Sequence, residues 1–211
     1  MQRTNPKRVF LLSPASTAGR RARILLSPSA RFALALQVRA PQGERIGEVF
    51  SFLSGLYFRG KLAYARRFAQ PGTAIRIITS DRGLVAPDLR VTLDDLTAMS
   101  HGAIDPEQAG YRLPLERDLE ALVRGVARGA EVVLLGSIAT EKYVGILQSV
   151  LGERLVFPEA FVGRGDMSRG GLLLRAVREG QELAYQSLLG AIRRGKRPAR
   201  LTPVPRVGEG R

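Results

Sequence analysis

Four short apolar runs along the chain predict buried β-strands. They occupy residues 9–12, 74–79, 131–135 and 154–157, and each is followed at once by a serine, a glycine or a proline. A continuous apolar run of about four to eight residues, bounded by such turn residues, is typical of a strand that is covered on both faces. The pattern therefore predicts a sheet whose central strands are buried.

Segments with helical spacing of apolar residues lie between these runs. The clearest begins at Pro114 and ends at Gly129, and Thr92 with Asp95 three residues later predicts a capped helix start. A further helix is predicted to break at Gly180. The predicted helices span residues 29–39, 57–68, 92–99, 114–129, 139–151 and 172–194, and residues 163–171 are predicted to form a flexible basic loop.

This alternation predicts an α/β protein, specifically a three-layer α/β/α sandwich with a mostly parallel central sheet. One domain is predicted over residues 9–194, between a basic N-terminal tail (1–8) and a disordered basic C-terminal tail (195–211). In such sheets, ligands bind at the carboxyl ends of the strands. That rule selects residues 13–21, 79–84 and 158–171, together with the turn at 136–137.

Composition excludes several function classes. No apolar run approaches the roughly 20 residues that span a bilayer, and no signal-peptide core follows the basic N-terminus, so we predict a cytoplasmic protein without a membrane partner. The chain has no cysteine and one histidine, His101, which excludes thiolate chemistry and a histidine-rich metal site. We predict no metal and no cofactor, and a structural or solvent-facing role for His101.

The net charge of +14 points to a polyanionic partner. A GC-rich coding sequence explains why 29 of the 33 basic residues are arginine, but it does not explain why only 19 residues are acidic. Such an excess of positive charge attracts phosphate polymers and accelerates their approach. Nucleic acid, either DNA or RNA, is therefore the predicted partner, and the oligomeric state stays open.

The loops at the strand ends supply candidate phosphate-binding residues. Hydroxyl and guanidinium groups can hold a phosphate or a carboxylate, although an ordinary turn would use the same residue types. The first loop is not a P-loop, and no Gly-x-Gly-x-x-Gly follows a strand. The candidates in the loops are Ser13, Ser16, Thr17, Arg20, Arg21, Ser80, Arg82, Gly163, Arg164 and Arg169.

Two aspartates and one aromatic segment complete the candidate site. Asp166 or Asp81 would orient water if the protein were a hydrolytic glycosylase, and a loop-capping role is the alternative for each. Tyr57 shares a segment with Arg59 and Lys61, which predicts either a surface for stacking bases and binding phosphate, or a core face with a solvated basic side.

Two segments carry a family resemblance. Residues 54–61 (Ser-Gly-Leu-Tyr-Phe-Arg-Gly-Lys) and 77–88 (Ile-Ile-Thr-Ser-Asp-Arg-Gly-Leu-Val-Ala-Pro-Asp) resemble a group of little-characterised bacterial proteins. Those proteins pair a Tyr-x-Gly-Arg-type element with a Leu-Ser-Ala-Lys-Tyr-Gly-Leu-type strand end. The second segment, with residues 113–115, is also similar to the uracil-DNA-glycosylase-like domain of archaeosine synthase. The resemblance spans residues 9–175 and implies a uracil-DNA-glycosylase-like α/β/α fold that binds a base or nucleotide.

The first loop departs from both patterns. Residues 13–16 (Ser-Pro-Ala-Ser) stand where those proteins carry a Cys-Ser or Ser-Cys element, and no acid follows the first strand as in active uracil glycosylases. Three hypotheses follow. The first is a glycosylase-like protein that binds nucleic acid, the second is an active N-glycosylase or nucleoside-processing hydrolase, and the third is a non-enzymatic protein that binds an acidic protein partner.

Overall fold

The computed structural model describes residues 8–70, 73–199 and 201. Residues 1–7 of the predicted N-terminal tail, and residues 200 and 202–211 of the predicted C-terminal tail, lie outside the described residues. A single cluster of buried apolar side chains joins the strands to the helices that flank them. Within the described ranges, no helix combines the length and the apolar character needed to cross a bilayer.

The four apolar runs form the four parallel strands of a six-stranded sheet, as predicted. The strands in the described part of the chain are β1 (Val9–Leu12), β2 (Glu44–Arg45), β3 (Ala74–Ile78), β4 (Leu84–Val85), β5 (Arg90–Val91), β6 (Val132–Leu135), β7 (Leu155–Pro158) and β8 (Tyr185–Ser187). Their order in the large sheet is β4-β3-β1-β6-β7-β8, in which β4 and β8 are antiparallel edge strands. β2 and β5 form a separate two-stranded sheet. The chain is thus an α/β protein with a mostly parallel mixed sheet, and β1 lies at its centre.

Eight α-helices flank this sheet in the described part of the chain. They are α1 (Arg20–Leu26), α2 (Ala33–Arg39), α3 (Ile46–Ser54), α4 (Leu56–Phe68), α5 (Leu93–His101), α6 (Ala109–Gly125), α7 (Glu141–Leu151) and α8 (Asp166–Glu179). The predicted capping box at α5 is confirmed, because Thr92 accepts from the Asp95 amide and the Asp95 carboxylate accepts from the Thr92 amide.

The boundaries of α6 and α2 differ from the sequence prediction. The helix predicted to begin at Pro114 begins at Ala109 and includes Pro114 in its interior. Pro114 removes one backbone hydrogen bond, but the turn before it buries Tyr111, and this burial favours continuing the helix. At the other end α6 stops at Gly125, short of Gly129. The prediction over residues 29–39 is also too long, because α2 begins at Ala33.

The glycine-rich segment 163–171 was wrongly predicted to be a flexible loop. Only its first residues are loop, because α8 begins at Asp166 and continues through Gly170. This helix ends at Gly180, whose φ of 66° suits a residue without a side chain, so the predicted break at Gly180 is confirmed. The helix predicted to continue from there to residue 194 is wrong. Residues 185–187 instead pair with β7 as the edge strand β8.

The first loop is shorter than predicted. Arg20 was predicted to lie in this loop, but it is the first residue of α1.

Glycines allow α4 and α8 to cross in backbone contact. A methyl group at Gly170 would lie 2.9 Å from the Leu56 carbonyl oxygen and from the Tyr57 Cα, and one at Gly60 would lie 2.8 Å from the Gly170 carbonyl oxygen. Contacts this short are not seen between a real Cβ and backbone atoms. The crossing brings the polar residues of α4, notably Lys61, next to the first turn of α8.

Candidate functional site

A cleft opens where the central strands β1 and β6 end. Its volume is about 690 Å³, and it extends from the loop after β1 to the start of α7. The carboxyl ends of the parallel strands carry this cleft, which is where a sheet of this kind binds ligands. Hydroxyl groups are prominent in its lining, which includes Ser13, Ser16, Thr17, Ser100, Ser137 and Thr140.

Lys61 is buried directly behind the wall of the cleft. Only 1% of its surface is exposed, and its Nζ donates to the Ser13 carbonyl oxygen at 2.7 Å and contacts Ser13 Oγ at 2.8 Å. The amine also lies 4.6 Å from the centre of the Tyr57 ring and 4.7 Å from that of Phe58. Burial lowers the pKa of Lys61 to about 7, and the nearby Asp166 charge opposes this shift. At neutral pH both protonation states of the amine are therefore populated.

Two tyrosine hydroxyls face the same region. Tyr57 is 5% exposed, and its hydroxyl forms no hydrogen bond of standard geometry among the described residues, although the Arg169 guanidinium lies close enough to act on its charge. The Tyr143 hydroxyl donates to the Ser137 carbonyl oxygen at 3.0 Å and accepts from the Ser137 amide at 2.9 Å. Burial raises the pKa of Tyr57, and it raises that of Tyr143 to about 12. Both phenols therefore stay protonated at neutral pH.

Asp166 is the one carboxylate among the described residues that line the cleft. It occupies the first turn of α8 with 67% of its side chain exposed, and its Oδ1 lies 3.5 Å from Arg169 Nη1. Arg169 is only 7% exposed, and its guanidinium donates to the Phe161 carbonyl oxygen at 3.3 Å. The buried arginine therefore anchors the start of α8, while Asp166 remains available at the edge of the cleft.

A second depression of about 600 Å³ meets the cleft at Ser137 and Asp166, which line both. Arg164, Arg169 and Arg197 contribute to its wall. Arg164 is held in place by hydrogen bonds from its guanidinium to the Ala160 carbonyl oxygen and to Ser168 Oγ. We call this depression the arginine groove. The cleft and the arginine groove together form one continuous depression at one end of the sheet.

The structure brings most of the predicted site residues together. Thr17 lines the cleft while its hydroxyl donates to the Met99 carbonyl oxygen at 3.1 Å. Gly163 precedes the arginine groove and lies against the backbone of Lys196. The predicted residues that line the cleft or the arginine groove, or that lie directly behind them, are Ser13, Ser16, Thr17, Tyr57, Lys61, Arg164, Asp166 and Arg169.

The other candidates lie outside the lining of the cleft and groove. Arg82 forms ion pairs with Asp81 at 3.0 Å and with Asp95 at 3.1 Å. Each of these three charged side chains therefore has an oppositely charged partner within the protein. The buried Ser80 hydroxyl donates to the Met99 carbonyl oxygen at 2.9 Å. Arg21 donates to the Phe52 carbonyl oxygen, and the side chains of Arg20, Arg59 and His101 are exposed.

The cleft residues that the strand-end rule did not select include Thr140, Lys142 and Tyr143. They follow the turn at 136–137, which the strand-end rule did select. Close packing explains the glycine at position 136 in this turn, because a Cβ there would lie 2.8 Å from the Ser13 Cβ. A strand-end rule that included the first turn of the next helix would have found all three residues.

Comparison of the chain with protein-family models, curated proteins and solved structures gave no match. Among the described residues, no three His, Asp or Glu side chains come together in a way that could hold a metal ion.

Proposed function

We propose that this protein binds nucleic acid, with phosphates in the arginine groove and a base or nucleotide in the cleft. The observation that carries the proposal is the junction of the two at Ser137 and Asp166. The hydroxyl groups of the cleft can donate to and accept from the polar edges of a base. The cationic groove beside the cleft can bind the sugar-phosphate backbone next to that base.

The size and chemistry of the cleft support a nucleotide. Its volume of about 690 Å³ falls within the usual range for small-molecule sites, which is roughly 300–1,000 Å³. The Tyr57 hydroxyl offers a buried hydrogen-bonding group that no described residue engages with standard geometry. A buried polar group of this kind is costly unless a ligand or water completes its hydrogen bonding.

The charges around the cleft and the arginine groove favour binding of a phosphate backbone. Lys142 at the cleft and Arg197 in the arginine groove are exposed, and Asp166 is the only carboxylate among the described residues lining either depression. The net charge of +14 adds a long-range attraction that does not depend on these residues. As part of the same proposal, we assign the chain a three-layer α/β/α fold like that of uracil-DNA glycosylases.

A second candidate function is hydrolysis of an N-glycosidic bond, and the position of Asp166 favours it. Asp166 is exposed at the cleft, where a carboxylate could orient water beside a sugar, whereas Asp81 is engaged by Arg82. Release of free base from an oligonucleotide, and its loss in Asp166→Asn, would identify this activity.

Binding should be measured by fluorescence anisotropy with short single-stranded and double-stranded DNA and RNA, across about 50 to 300 mM salt. We expect affinity to fall steeply with salt, because each phosphate contact releases a counterion. The absence of binding near physiological salt would exclude nucleic acid, and would leave an acidic protein partner as the explanation for the charge.

The double variant Lys142→Ala/Arg197→Ala tests the location of the site. It should bind at least about tenfold more weakly than the unmodified protein, and its salt slope should be shallower by about 2. The matched control is Arg124→Ala/Arg178→Ala, which removes the same charge from exposed positions on α6 and α8. Arg178 lies about 18 Å along α8 from Asp166. Equal losses in both variants would show that binding depends on overall charge and not on the proposed site.

A further inference from the structure

Ser13 lies between the open cleft and the buried amine of Lys61. We propose that Ser13 is a nucleophile and Lys61 its general base, and that the cleft hydrolyses carboxylic esters. This activity goes beyond nucleic-acid binding and does not depend on it. A serine activated by a lysine is a known variant of the serine, histidine and aspartate arrangement.

The backbone fixes Ser13 where a nucleophile is needed. Ser13 directly follows the central strand β1, and its amide donates to the Leu135 carbonyl oxygen at 3.1 Å. Its carbonyl oxygen accepts from Lys61 Nζ at 2.7 Å. Ser13 is one of the residues that line the cleft, and 6% of its surface is exposed, so the proposal requires a bound ester to approach Oγ from the cleft side.

The two contacts of the Lys61 amine match the requirements of a base. A neutral amine can donate to the Ser13 carbonyl oxygen and still use its lone pair to accept the proton of Ser13 Oγ, 2.8 Å away. The titratable and charged side chains that act on this region are Tyr57, Tyr143, Asp166 and Arg169. Burial lowers the pKa of Lys61 to about 7, which keeps a large neutral fraction at physiological pH.

Tyr57 supplies a hydrogen-bond donor for the charge that develops on the ester. It precedes Lys61 by four residues on α4, so the two side chains lie on the same face of the helix. Its protonated hydroxyl is buried and forms no hydrogen bond of standard geometry among the described residues, and Tyr57 is one of the residues that line the cleft. A preorganised donor in such a site stabilises an oxyanion more strongly than water does.

The reaction balances without a cofactor. Ser13 Oγ forms a bond to the acyl carbon as its proton moves to Lys61 Nζ, and Tyr57 donates to the oxyanion. The bond to the leaving oxygen then breaks, and Lys61 returns the proton to the departing alcohol. Water attacks the acylated Ser13, Lys61 accepts a proton from that water, and the proton returns to Ser13 Oγ as the acid leaves.

A fluorophosphonate carrying a fluorophore tests the proposal without nucleic acid present. Attack by Ser13 Oγ would form a bond to phosphorus and expel fluoride, leaving a label that peptide mass spectrometry can locate. We expect Ser13 to be labelled in the folded protein, and Ser13→Ala to remove the label. We expect Lys61→Met to slow labelling at least about 100-fold, which is the usual contribution of general-base catalysis.

The control variant is Ser51→Ala, whose hydroxyl donates to the Gly47 carbonyl oxygen within α3 and does not line the cleft. In this variant, Ser13 should be labelled at the same rate as in the unmodified protein. If Lys61→Met failed to fold, the unmodified protein would still decide the question, because its labelling rate should rise up to about pH 7 and then level off. An unlabelled Ser13, equal labelling of folded Lys61→Met, or a rate that rises continuously with hydroxide would overturn the proposal.

Discussion

Replacing Gly170 by alanine should lower the free energy of unfolding by about 2–3 kcal/mol, the upper part of the range for overpacking a buried contact. The new methyl group would lie 2.9 Å from the Leu56 carbonyl oxygen and from the Tyr57 Cα. Both are backbone atoms of α4, so the helices must separate to relieve the overlap. Tyr57 and Lys61 would move with α4. The substitution should therefore distort the cleft as well as destabilise the protein.

The neighbouring residue provides a matched control in the same helix. A methyl group at Gly171 would meet only the end of the Leu201 side chain, at 3.6 Å, which is an ordinary contact. Alanine also has a helix propensity about 1 kcal/mol better than that of glycine, so Gly171→Ala should be neutral or stabilising. Urea unfolding of both variants measures the difference. Equal stability of the two would contradict the close crossing of α4 and α8.

Lys61→Met should change how the stability of the protein depends on pH. The pKa of Lys61 is about 7 in the folded protein and near its ordinary value of 10.5 when unfolded. Between these values the unfolded chain binds more protons than the folded one, so the free energy of unfolding rises with pH. The slope approaches about 1.4 kcal/mol per pH unit for one proton. Methionine cannot titrate, and the variant should lack this contribution.

Urea unfolding at pH 7.5 and 9.5 provides the test. We expect the unmodified protein to gain about 2 kcal/mol relative to Lys61→Met over this interval. The interval stays below pH 10, above which the buried tyrosines begin to contribute in the opposite direction. Their folded pKa values are raised, so they favour folding below pH 10 and lose this effect as the pH rises further. Parallel pH profiles for the two proteins would contradict a titrating buried amine.

The parallel strands were predictable because their signal is local. Four consecutive buried residues, as in Val9–Leu12, leave an uninterrupted apolar run in the sequence. The edge strand β8 leaves no such signal, since Tyr185–Ser187 is short and mostly polar and is held by its partner β7. The small sheet of β2 and β5 escaped prediction for the same reason, because each strand has two residues and depends on distant pairing.

The segment around Asp166 shows how tertiary contact overrides local preference. Its glycines indicated flexibility, because glycine usually weakens a helix. In the structure, Gly170 permits the close approach to α4, and burial of the Arg169 side chain further ties the first turn of α8 to the loop before it. Neither effect can be detected from the spacing of residues within the segment itself.

The site was predictable in position but only partly in chemistry. The strand-end rule selected the region of Ser13, which lines the cleft, and it also selected both aspartates. It could not distinguish Asp166 from Asp81, because only the structure shows that Arg82 pairs with Asp81 and also with Asp95. The burial of Lys61 could not be predicted from the sequence either. Lysine is almost never fully buried, and the neighbours of Lys61 in the sequence indicated a solvated face.

Photo-crosslinking of an oligonucleotide that contains 5-iodouracil tests most directly whether the cleft receives a base. The crosslinked residue is identified by mass spectrometry of the digested complex, with unlabelled oligonucleotide as competitor. We expect competable crosslinks at Tyr57 or Tyr143, the two aromatic side chains among the described residues that line the cleft. Crosslinks confined to peptides outside the cleft would contradict the account, even if the protein bound the oligonucleotide tightly.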